Sequence, residues 1–76
     1  MAINAKSELK RSLTIQGHRT SLSLEPEFWA ALKQAANDEH KSLAALVAEI
    51  DAARAGRNLS SAIRVWVLAR LSVGSK

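Results

Sequence analysis

Cysteine is absent from this chain of 76 residues, which excludes a disulfide framework and a zinc-thiolate site with it. There is one proline, and there are only three glycines. Tyrosine is absent and only Phe28, Trp29 and Trp66 are aromatic, although apolar residues make up 47% of the chain. Alanine and leucine supply most of that fraction, and such a composition favours helices. No apolar run approaches the roughly 20 residues that a membrane span needs. The N-terminus carries Lys6, Glu8, Lys10 and Arg11 where a secretory signal would be hydrophobic. The chain therefore reads as soluble and cytoplasmic, with no membrane partner.

Catalytic chemistry is missing in the same way. There is no glycine-rich phosphate loop, no nucleophile with an evident base and orienting group, and no paired His, Asp and Glu set for a metal. His18 and His40 are separated by a predicted strand and helix, a spacing that makes no ligand pair. The reading is not an enzyme, with no metal and no cofactor. A lone domain of this size buries only a modest core, so oligomerisation is the expected supplement.

What the chain does have is segregated charge. Residues 1–24 hold four cations against one acid, residues 25–53 two against six, and residues 54–76 five cations and no acid. The net charges are +3, −4 and +5, adding to +4 overall. A basic end joined to an acidic middle predicts one surface prepared for a polyanion.

The pattern begins with residues 1–9, which show no period and read as a flexible arm, followed by a single domain over 10–76. "RSLTIQ", Arg11 to Gln16, alternates with Leu13 and Ile15 on one side, as a strand would. After Gly17 the parity shifts: in "HRTSLSL" the apolar positions are even, with Thr20, Leu22 and Leu24 on one side and Arg19, Ser21 and Ser23 on the other. Gly17 thus marks a bulge, a bend or a hairpin turn, and periodicity leaves all three open. Pro26 suits the first position of a helix, with Glu25 and Glu27 at its positive end and Phe28, Trp29, Leu32, Ala35 and Ala36 as its apolar stripe. "NDEHK" over 37–41 reads as a polar connection. Ser42 then caps a second helix striped by Leu43, Leu46, Val47, Ile50 and Ala53, which Gly56 closes. A third helix over about 59–71 follows Asn58 or Ser60 as its cap, with Leu59, Ile63, Trp66, Val67 and Arg70 along one side and Arg64 and Arg70 exposed.

A short strand cannot stand alone in water, because its backbone groups would lack ladder partners. If "RSLTIQ" folds back through Gly17, the partner lies within the chain. Otherwise the simplest partner is the same strand of a second copy, and two-fold symmetry would make the pair antiparallel.

The order strand, Pro-initiated helix, polar turn and Ser-capped helix in "RTSLSLEPEFWAALKQAANDEHKSLAALVAEI" resembles the ribbon-helix-helix DNA-binding proteins of the Arc and MetJ type, over roughly residues 18–55. A wider arrangement, "TSLSLE…FW…SLAALVAEID…NLSSAIRV", is similar to a bacterial subgroup of these domains over most of 10–68. The resemblance implies a mostly α fold with a short N-terminal strand and an extra C-terminal helix, assembled as an intertwined homodimer. Its ribbon would enter the major groove of double-stranded DNA. Arg19, Ser21 and Ser23 would face the bases, while Lys10, Arg11, Lys41, Ser42 and Leu43 would hold phosphates. Leu22, Leu24, Phe28, Trp29, Leu32, Leu46, Val47 and Ile50 would form the dimer core. The function implied is that of a dimeric transcriptional regulator, a repressor, of a bacterium or phage. The alternative is a dimeric interaction module such as an antitoxin or adaptor, its C-terminal segment holding a partner protein.

Overall fold

The computed structural model describes residues 9–74, which form a two-stranded antiparallel sheet followed by three helices. Strand β1, Leu9–Ile15, and strand β2, His18–Leu24, are joined by a two-residue turn at Gln16 and Gly17. Their φ values of 53° and 84° are both positive, the conformation of the turn that best matches the twist of paired strands. Ile15 stands opposite His18, Leu13 opposite Thr20 and Leu9 opposite Leu24. A two-residue turn places odd positions of β1 beside even positions of β2, and this is the physical cause of the parity shift at Gly17. The strand that pairs with β2 thus comes from its own chain, where a second copy was the expected donor. Leu9 opens β1, one residue inside the stretch expected as an arm; the remainder of that arm lies outside the described residues.

Helix α1, Pro26–Asp38, begins as its proline requires, and Trp29, Leu32, Ala35 and Ala36 are buried while Phe28 is half-buried. It runs into the stretch expected as a polar connection and stops at a Schellman motif. Lys41 donates its backbone N–H to the Ala36 carbonyl at 2.9 Å and His40 donates to Asn37 at 3.1 Å, with His40 in the left-handed region at φ 58°. Helix α2, Leu43–Ala52, is capped by Ser42, whose hydroxyl accepts the Ala45 N–H at 3.0 Å. It ends four residues before Gly56, which lies in the following turn with Ala55; Ala53 is exposed as the C-terminal cap. Helix α3, Leu59–Gly74, is longer than expected and starts where Asn58 Oδ1 accepts the Ser61 N–H at 2.8 Å.

One face of the sheet lies on the helices. Ile15, Leu22 and Leu24 meet Trp29, Leu32, Ala35, Ala36, Leu46, Val47, Ile50, Ala62, Ile63 and Val67 in one apolar core, with Leu13, Phe28, Leu43, Leu59 and Trp66 at its edge. The residues expected as a dimer core therefore pack together within a single chain. Hydrogen bonds tie the sheet to the helices: Trp29 Nε1 donates to the Leu9 carbonyl at 2.9 Å, and the Ser60 hydroxyl donates to the Ser23 carbonyl at 3.1 Å. Among the described residues no helix is long and apolar enough to cross a membrane.

Candidate nucleic-acid interface

Because side chains alternate across a strand, the face of the hairpin turned away from the core is fixed by the register. It carries three cross-strand pairs: Lys10 with Ser23, Ser12 with Ser21, and Thr14 with Arg19. All six side chains are polar, and all but the half-buried Ser23 are exposed. The opposite face contributes Ile15, Leu22 and Leu24 to the core, and it also carries Arg11, His18 and Thr20. No acidic side chain lies on the outer face among the described residues. Lys10 and Arg19 sit at its two ends, four register positions apart, a separation along the ribbon of roughly 13 Å at about 3.3 Å per residue. Neither forms an ion pair among the described residues.

Arg19, Ser21 and Ser23 are thus brought together on one surface, with Ser12 and Thr14 beside them. Those last two did not emerge from the sequence as site residues, since they belong to the face only if β1 is the partner of β2. The signal was the parity shift at Gly17.

Arg11 stands elsewhere. Its odd position turns it to the core side of the ribbon, where its guanidinium covers the rim of the core at 5.2 Å from the Trp29 ring centre. Lys10 and Arg11 therefore serve opposite faces.

At the N-terminus of α2 the structure gives Lys41 two carboxylates. Its ammonium lies 2.7 Å from both Glu49 oxygens and 3.1 Å from Glu39. Hydrogen bonding to Glu49, then to Glu39, raises the Lys41 pKa above the ordinary lysine value. The ammonium of Lys41 and, after a smaller opposing effect of desolvation, the Arg70 guanidinium lower the Glu39 pKa. Leu43 is half-buried against the core, and the Ser42 hydroxyl is engaged in its cap. The cation expected to hold a phosphate instead joins the end of α1 to α2.

The C-terminal cations are also drawn inward. Arg64 Nε lies 2.9 Å from Glu25 and its guanidinium 5.9 Å from the Phe28 ring centre; Arg70 lies 2.6 Å from Glu39 and 3.5 Å from Asp38. Both were expected to be exposed, and both are half-buried ion-pair partners. The segregated charge of the sequence is in large part charge that neutralises itself once α3 packs on α1. Arg54 pairs with Asp51 at 2.6 Å in the same way. What remains open as a basic surface includes Lys10 and Arg19 on the ribbon.

No group of three or more His, Cys, Asp or Glu side chains among the described residues is arranged to hold a metal ion. No curated protein and no solved structure matches this chain. A family model does, that of the ribbon-helix-helix domain, over residues 8–71. That span takes in the hairpin, both following helices and most of α3, and with the ribbon and helices in this order the chain belongs to the ribbon-helix-helix domain family.

Proposed function

We propose that the protein binds double-stranded DNA in the major groove through the outer face of the β1–β2 hairpin and acts as a dimeric transcriptional regulator, as a repressor. One observation carries this reading. The outer face of the ribbon presents Lys10, Arg19, Ser12, Thr14, Ser21 and Ser23 with no acid, while the other face gives Ile15, Leu22 and Leu24 to the core. A two-stranded antiparallel ribbon has the width of the major groove, and its exposed side chains reach the base edges there. Arg19 is the residue suited to a bidentate contact with guanine, whereas the serines and Thr14 accept or donate to several bases. Lys10, at the other end, suits a phosphate, and the backbone N–H of Leu43 beside the Ser42 cap suits a second one.

Binding to random and to enriched duplexes, followed by electrophoretic mobility at several salt concentrations, tests the proposal. Arg19→Ala should cost roughly 1–3 kcal/mol on the preferred duplex and narrow its advantage over random DNA. Lys10→Ala should weaken both duplexes alike and flatten the salt dependence. Wild type that binds no duplex at low salt would remove the reading.

A second reading, a dimeric interaction module such as an antitoxin or adaptor, draws support from α3. Its outer side exposes Val65, Leu68 and Leu71, apolar side chains suited to a protein surface.

A further inference from the structure

The two strands of the hairpin repeat one pattern. Lys10, Ser12, Leu13, Thr14 and Ile15 of β1 recur in the same order in β2 as Arg19, Ser21, Leu22, Ser23 and Leu24. Alternation requires only that polar and apolar positions take turns. It does not require that a cation lead and a serine follow two residues later in both strands.

The register turns this repeat into symmetry. Ser12 stands opposite Ser21, and a two-fold axis through that pair exchanges Lys10 with Arg19 and Thr14 with Ser23. The outer face therefore has a cation at two diagonal corners, a hydroxyl at the other two and a serine pair at the centre. A ribbon made from one strand of each of two copies has such symmetry by necessity. Here one chain supplies it with two similar strands.

We infer that a single chain is the whole DNA-reading unit: one hairpin occupies one segment of major groove, and no second copy contributes a strand there. The inference rests on the proposed DNA reading and specifies its stoichiometry and its site. The ribbon is complete within the chain. Its turn is closed by positive φ at Gln16 and Gly17, and its Leu22 and Leu24 are buried on the chain's own helices. Trp29 and Ser60 hold a backbone carbonyl of each strand. A dimer then brings two ribbons to two separate segments of duplex.

The symmetry also describes the segment. Lys10 and Arg19 are separated along the ribbon by roughly 13 Å, about four base pairs at a rise of about 3.4 Å, and the axis directs them to opposite DNA strands. Arg19 has the planar fork that fits guanine, whereas Lys10 is a point charge without it. Specificity thus lies at one end of the segment, while the other end has the position for an inverted second contact.

Titration of a labelled duplex of about 10 base pairs, one helical turn carrying one preferred segment, tests the stoichiometry by anisotropy well above the dissociation constant. Equivalence should fall at one chain per duplex. Selection from random duplexes tests the symmetry. Lys10→Arg should add a preference for a second guanine, on the opposite strand and about four base pairs from the first, of at least about fivefold, the low end of what one bidentate contact supplies. A ribbon made from two β2 strands leaves position 10 out of the contacted row, and the variant would then select what wild type selects. Two chains per duplex, or a Lys10→Arg protein with wild-type preferences, overturns the inference and leaves DNA binding standing. Wild type that binds no duplex at low salt removes the DNA reading and the inference with it.

Discussion

Trp29 shows how one side chain serves several parts of this small fold. Its ring is buried under the sheet, its Nε1 holds the Leu9 carbonyl at the start of β1, and the Arg11 guanidinium covers its outer side. Trp29→Phe keeps most of the apolar volume but leaves that carbonyl without its indole donor, and should cost about 1 kcal/mol in urea unfolding. Trp29→Ala adds a cavity and should cost about 3–5 kcal/mol, enough to leave a marginal domain of this size largely unfolded. The apolar identity of Trp29 was legible from its place on the α1 stripe. Its hold on Leu9 was not, because a contact across 20 residues has no local pattern.

Among the elements, the hairpin is where sequence and structure diverge most instructively. Alternation over 11–16 and 18–24 announced two strand-like stretches and Gly17 announced a break, but strand pairing is a choice between surfaces, and periodicity describes only one surface at a time. The turn decides it. Gly17 adopts φ 84°, where a β-branched residue is strained, and no heavy atom lies within 4 Å of the place where its Cβ would stand. Any penalty of Gly17→Val is thus conformational and should amount to roughly 1–2 kcal/mol. Its thermal midpoint should fall, and if the outer face binds DNA the loosened ribbon should bind with lower affinity while Lys10 and Arg19 are both still present. The α1 and α2 boundaries were legible from Pro26 and Ser42, whereas the C-terminal end of α1 was hidden because His40, and no glycine, takes the left-handed position.

Over the whole molecule, α3 is part of the core and not an appendage. Ala62, Ile63 and Val67 are buried, Ser60 holds the sheet, and Arg64 and Arg70 hold both ends of α1. Truncation after Gly56 should therefore yield a chain with little cooperative unfolding by circular dichroism, and any partner of α3 has only its outer face to engage. The ion pairs around Glu39 and Lys41 predict a pH dependence. Glu39 ionises more readily in the folded chain, so its share of stability is present above the ordinary glutamate range and disappears as pH falls through its lowered pKa. Lys41 binds its proton more tightly when folded, so its share is complete below the ordinary lysine range and disappears as pH rises through its raised pKa. Both groups face solvent, which keeps the effect modest, and Glu39→Gln should flatten the acid side of a stability profile measured by urea unfolding.

The sequence by itself determined the family resemblance, the starts of α1 and α2, most apolar residues of the core and the alternation that separates Arg19, Ser21 and Ser23 from Leu22 and Leu24. These are local matters, set by spacing of 2.0 or 3.6 residues and by caps within one turn. Only the tertiary structure decided that β1 is the partner of β2, that Ser12, Thr14 and Lys10 complete the outer face, and that Arg11 belongs to the other one. It alone also decided which cations are open, because Lys41, Arg64 and Arg70 meet their carboxylates through packing between elements, and charge along a chain does not reveal which opposite charge folding will bring within 3 Å.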